Sequence, residues 1–102
     1  MNAIIYDCDG KYESIRNVLD YKIDRLLSRH LRENDANRIK IRIGNSISNK
    51  RNTTGEVLGY LMAYDIAFVY MVCLRLERLE SRTQNLCAME VIDEITKIEY
   101  LF

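Results

Sequence analysis

Proline is absent from the 102 residues of this chain. Backbone breaks must therefore come from Gly10, Gly44, Gly55, Gly59 and from turns rich in Asn and Ser. Net charge is missing too. Fifteen basic and fifteen acidic residues cancel, so no global field draws the protein toward nucleic acid or anionic lipid. Histidine occurs once, as His30, and the three cysteines, Cys8, Cys73 and Cys87, show no CxxC spacing. That combination excludes the ordinary zinc-site patterns, and no metal or other cofactor is expected. Three thiols cannot all pair within one chain. Reduced, mostly buried thiols are expected, with a Cys73–Cys87 bridge across a helical hairpin as the alternative in an oxidising setting. The N-terminus carries no basic segment leading into a long apolar run, so no signal peptide is expected and the expected location is cytoplasmic.

What is present is dominated by Val57–Leu74, apolar on every side with Asp65 as its only charge. Outside a membrane, a helix that is apolar all round must be wrapped by other elements or by another chain. A membrane span is disfavoured, because the stretch is at the lower length limit and Asp65 at the bilayer midplane would cost about 3 kcal/mol. A composition of 48% hydrophobic and 29% charged residues belongs to a globular protein, and residues 1–102 are expected to form a single domain.

The rest of the chain divides by periodicity. Ala3–Tyr6 reads as a short buried strand closed by the Asp7-Cys8-Asp9-Gly10 turn. From Tyr12 to Glu33, Ile15, Val18, Leu19, Ile23, Leu26, Leu27 and Leu31 recur at helical spacing and predict one core-facing stripe, ended at Asn34-Asp35. Arg38-Ile39-Lys40-Ile41-Arg42-Ile43 alternates cation and isoleucine, which predicts a strand with its isoleucines inward. Gly44-Asn45-Ser46 should break it, and the polar run to Thr54 reads as a loop, with room for a short strand at Ile47. A capping box of Thr53 and Glu56 opens the long helix, which should run to about Ser81. Thr83-Gln84-Asn85 makes a turn. A third helix follows from Leu86, and residues 97–102 fit either its end or a closing strand. The fold class is therefore α+β, in the order β-α-β-α-α around a long central apolar helix. An echo between Asn17–Tyr21 and Glu56–Tyr60 suggests two tandem strand–helix units, roughly 1–48 and 49–102.

Ile4-Ile5-Tyr6-Asp7-Cys8-Asp9-Gly10 resembles the first motif of the haloacid dehalogenase-like phosphatases, an apolar strand ending in Asp-x-Asp-Gly. The resemblance implies Asp7 as the nucleophile on phosphorus, Asp9 as the general acid and a magnesium ion beside them. It covers seven residues. Lys11 replaces the threonine or valine that follows in the family, and the later serine/threonine motif and the lysine with its acidic pair are missing. Phosphoryl transfer needs those charges for neutralisation and positioning, so the motif is read as a coincidence and no enzyme is expected. The segment also makes a poor calcium loop, lacking a third ligand before its glycine and a bidentate glutamate after it.

Two binding surfaces remain. Tyr60, Tyr64 and Phe68 along the long helix offer aromatic anchors for a protein or peptide in an apolar groove beside it, the partner being another protein or a second copy of the chain. Alternatively Arg38, Lys40, Arg42, Lys50 and Arg51, with no acid between Asp35 and Glu56, would track the phosphates of a nucleic acid or another polyanion. No aromatic interleaves those cations, so base stacking is unavailable there. Asp65, buried in an apolar helix, requires a partner such as a tyrosine hydroxyl, His30 or an arginine. The expected function is a non-catalytic protein–protein interaction module, with polyanion binding as the alternative. Short, rich in Tyr, Ile and Arg and without an enzyme motif, the chain resembles orphan proteins of archaeal viruses or phages, which would place it in a host cytoplasm.

Overall fold

The computed structural model of the chain describes residues 11–54 and 58–101, with side chains for 11–50 and 64–101. Four helices account for nearly all of them: α1 (Lys11–His30), α2 (Glu33–Thr54), α3 (Leu58–Thr83) and α4 (Ala88–Leu101). No strand occurs among the described residues. The expected α+β class is thereby overturned, and with it the tandem strand–helix units. The two echoing pentapeptides do not occupy matching places either, since Asn17–Tyr21 lies in the body of α1 and Leu58–Tyr60 opens α3. The strand expected at Ala3–Tyr6, and with it Asp7, Cys8 and Asp9, lies outside the described residues.

The main correction concerns residues 38–54, expected as a strand and a loop and found as helix. Ala36, Ile39, Ile43 and Ile47 are all buried, and their spacing of three, four and four is that of one helical face. Ile41 points outward instead, because two residues carry it roughly half a turn round the helix from Ile39 and from Ile43. The six-residue alternation was a fragment of a helical stripe in which one isoleucine faces water. Gly44 sits mid-helix with nothing within 4 Å of where a Cβ would be, so it neither breaks the helix nor serves a close approach. Thr53 lies within α2, its side chain outside the described set, and Glu56 lies outside the described residues. Residues 97–101 belong to α4, so the segment left open between helix and strand is helical through Leu101.

Helix ends follow local chemistry. Acidic residues sit in the first turns of α1, α2 and α4, and basic ones in the last turns of α1 and α3, where they complement the helix dipoles. Gln84 adopts φ 66° just past α3, and its N–H donates to the Glu80 carbonyl at 3.0 Å, a left-handed C-cap. At the start of α4 the Cys87 N–H donates to Glu90 Oε1 at 3.3 Å, half of a capping box.

The helices form two antiparallel hairpins that interlock. Lys40 of α2 pairs with Asp24 of α1 across the first link, and Arg75 of α3 pairs with Glu94 of α4 across the second, at 3.2 Å. Between the hairpins, α1 and α3 run parallel. Tyr12 is level with Asp65, Leu19 with Cys73, and Arg29 and His30 with Glu80. α3 touches each of the other three helices, whereas α1 and α4 stand at opposite corners. One apolar core results, with Phe68, Leu27, Ile39, Leu76, Ile95 and Ile98 among its fully enclosed side chains. Each large apolar side chain so enclosed stabilises the fold by about 1.5–3 kcal/mol before chain entropy is subtracted. In the described part of the oily stretch, Tyr64, Asp65, Phe68, Val69, Val72 and Cys73 are buried by the chain's own helices, while Tyr70 and Leu74 are exposed.

Candidate functional site

Tyr64 and Phe68, expected as partner anchors, are core residues. Both are buried, and their rings stack with centroids 5.9 Å apart. The side chain of Tyr60 lies outside the described set. The basic candidates are dispersed. Lys40 and Arg42 leave α2 on opposite sides, and each cation of the 38–42 run already holds a carboxylate. Arg38 pairs with Asp35 at 3.3 Å, Lys40 with Asp24, and Arg42 with Glu99 at 2.8 Å. Lys50 lies 5.5 Å from the centre of the Tyr64 ring, and the side chain of Arg51 is not among those described. A strand would have aligned Arg38, Lys40 and Arg42 on one face. The helix does not.

Asp65 is completely buried. The Tyr12 hydroxyl donates to its Oδ2 at 2.9 Å, and Arg16 approaches the same oxygen at 3.7 Å. Burial, reinforced by the Asp65 carboxylate, pushes the Tyr12 hydroxyl's pKa up, so it stays a donor. Burial opposes the charge on Arg16, and Asp20 at 3.2 Å outweighs it. His30 serves elsewhere: its Nε2 lies 2.6 Å from Glu80 Oε2, which Arg29 also reaches at 2.6 Å. Those partners, His30 first, hold the Glu80 carboxyl below the usual range against the pull of burial. On the other side of the bundle Arg42 and Ser46 donate to Glu99, and Arg42 also donates to the Thr96 hydroxyl, so that α2 is clasped to α4.

The thiols are free among the described residues: Cys73 buried, Cys87 exposed, with no bridge between them. Burial pushes the Cys73 thiol up to about 11, and it donates to the Leu19 carbonyl at 3.4 Å. A protonated, enclosed thiol is the opposite of what a nucleophile requires. No cluster of metal-binding side chains occurs among the described residues. Among them, too, no helix is long and apolar enough to cross a membrane.

The surface that stands out is the seam between α1 and α3. Ile15 and Val18 on α1, and Tyr70 and Leu74 on α3, are exposed. The register of the two helices, Tyr12 with Asp65 and Leu19 with Cys73, puts Ile15, Val18 and Tyr70 between those two levels and Leu74 just beyond the second. One turn further along, the seam opens into a pocket of about 200 Å³ whose walls include Lys22, Arg25 and Arg29 from α1 and Glu77 and Glu80 from α3. Cations line one wall and acids the other. The two helices therefore present exposed apolar side chains at one level and a charged pocket at the next, the apolar and polar elements that recognition surfaces combine. The other exposed large apolar residues are Tyr21 on α1, Ile41 on α2, and Met89, Tyr100 and Leu101 on α4.

Ile15 and Val18 were expected in the core stripe of α1. Leu19, Ile23, Leu26 and Leu27 are its buried members. The signal was in the sequence: the apolar positions from Ile15 to Leu31 spread over more than half of the helix circumference, wider than a single neighbour covers. No known protein family, curated protein or solved structure matches the chain.

Proposed function

We propose that this chain is a non-catalytic protein-interaction module that engages its partner along the α1–α3 seam. The carrying observation is the exposure of Ile15, Val18, Tyr70 and Leu74 on neighbouring turns of two adjacent helices. Four large apolar side chains left wet together are unfavourable unless something covers them, and contiguous patches of this kind mark interaction sites. The groove lies beside the long helix, but its anchors differ from the aromatic trio anticipated on that helix. Polyanion binding through residues 38–51 draws no support from the geometry, since Arg38, Lys40 and Arg42 are each paired with an acid.

A photoreactive benzoyl-phenylalanine placed at position 18 or 70 tests the proposal in extract of the producing cells. Covalent protein adducts should form from both positions and not from position 89, on the outer face of α4. If positions 18 and 70 yield no adduct, or label no more than position 89 does, the seam is not an interaction surface.

A further inference from the structure

We infer that the occupant of the seam is a second copy of this chain, docked in parallel about a twofold axis running along the seam. The inference rests on the seam being an interaction surface, and it names the partner.

The argument starts from register. α1 and α3 run parallel, and residues of equal height are known along their length: Tyr12 with Asp65, Leu19 with Cys73, Arg29 with Glu80. A half-turn about an axis parallel to both helices exchanges the two walls of the groove and keeps every residue at its height. Each copy's α1 then lies over its partner's α3. Ile15 and Val18 of one copy face Tyr70 and Leu74 of the other, and Lys22 and Arg25 face Glu77. Every such contact occurs twice, as a closed twofold interface demands.

Charge supports this occupant over others. Among the described residues, Lys22, Arg25 and Glu77 form no ion pair. Arg25 spends a donor on the Tyr21 hydroxyl, at 3.1 Å, instead of on a carboxylate. Among the described residues the groove thus offers cations without a carboxylate partner on one wall and an acid without a cationic partner on the other. A uniformly acidic or basic partner would satisfy one wall and be repelled by the other. A second copy in the parallel arrangement satisfies both. The alternative twofold, across the seam, would set α1 on α1 head to tail and bring Lys22 and Arg25 onto apolar Ile15 and Val18.

Sedimentation equilibrium on the full chain tests it. The wild type should sediment at twice its 12.0 kDa mass. Lys22→Glu and Glu77→Lys should each weaken the dimer by about tenfold or more, because like charges then face each other across the interface. An equimolar mixture of the two variants should recover dimer. Within each chain of that mixture the two walls still carry like charges, so recovery reports contact between copies and not repair of the fold. Circular dichroism confirms that both variants remain helical. A wild type that sediments as monomer at roughly 100 μM, or a mixture that fails to recover, overturns the inference. Adducts from positions 18 and 70 to a different protein, with the chain monomeric, would overturn the second copy and leave the interaction surface standing. A monomer with no adducts removes both.

Discussion

The sharpest test of the fold is the isoleucine series in α2. As a helix, this segment buries Ile39 and Ile43, the latter 6% exposed, and leaves Ile41 62% exposed. As a strand, the three would share one face and cost alike when truncated. Ile→Ala at a fully enclosed site removes three carbons and leaves a cavity that its neighbours fill only in part, costing about 2–4 kcal/mol. At position 41 the lost side chain is mostly in water, and alanine is the better helix former by about 0.4 kcal/mol. Ile41→Ala should therefore be neutral or slightly stabilising, while Ile39→Ala and Ile43→Ala each lower stability by several times the thermal energy. Urea unfolding followed by far-ultraviolet circular dichroism gives the three values directly. At roughly 5 °C per kcal/mol for a domain of this size, thermal melting separates them as well. Equal losses at all three positions would refute the helical assignment of residues 38–43.

Other consequences are as direct. Gly44→Ala adds a methyl where nothing lies within 4 Å, so relief of glycine's helix penalty should stabilise the protein by about 0.8 kcal/mol in the same denaturation assay; a destabilised variant would show that the site is not an open helix face. Arg42 foremost, with help from Ser46, holds the Glu99 carboxyl below the usual glutamate range against the pull of burial. A depressed folded pKa contributes stability above the unfolded value of about 4.3, lost as pH falls through the folded value. Glu99→Gln should thus be less stable than wild type at neutral pH and flatter on its acid limb, and parallel pH–stability curves would deny the clasp any role. In native buffer a thiol reagent should modify Cys87 and leave Cys73 untouched until urea unfolds the chain, as peptide mapping would show. Rapid native labelling of Cys73 would contradict its burial.

Helices were legible wherever the apolar period was long enough to exclude other readings. α1 emerged near its observed bounds, and α4 near its observed start with its end left open between helix and strand, because their stripes persist for several turns. α2 did not, because its signal was sampled over six residues, where a helical face carrying one extra exposed isoleucine imitates a strand. Asn45, Ser46, Ser48 and Asn49 then read as loop, although polar residues are what the wet face of α2 requires. Taken from Ala36 to Ile47, the three-four-four spacing decides for helix. The seam was hidden for a different reason. Periodicity tells which side of a helix is apolar, and it does not tell how much of that side a neighbour covers. Leaving Ile15 and Val18 wet is a consequence of α1 resting on α3 at one angle, which only the assembled helices reveal. Tyr64 and Phe68 show the converse, aromatics suited to binding that the same packing encloses.

Parallel packing of α1 against α3 sets two helix C-termini side by side, an arrangement the helix dipoles disfavour. Polar clasps hold it in register: Tyr12 and Arg16 on Asp65 near one end, and Arg29 and His30 on Glu80 at the other. A carboxylate in the middle of an oily helix is a poor way to gain stability, since desolvation offsets most of the attraction, yet it is an effective way to fix one alignment among several. The hypothesis that Asp65 acts as a register key makes an unsymmetrical prediction. Tyr12→Phe removes a donor from a buried charge and should cost about 1.5–3 kcal/mol. Adding Asp65→Leu to that variant removes the charge as well and should return much of the loss, giving a clear coupling energy in the double-mutant cycle. The double variant, though folded, has lost what holds α1 level with α3, so cross-linking within one chain between cysteines introduced at positions 15 and 70, read on the product of monomer mass, should become less efficient than in the otherwise wild-type chain. A double variant no more stable than the single, or one whose cross-linking is unchanged, would mean that apolar packing alone sets the register.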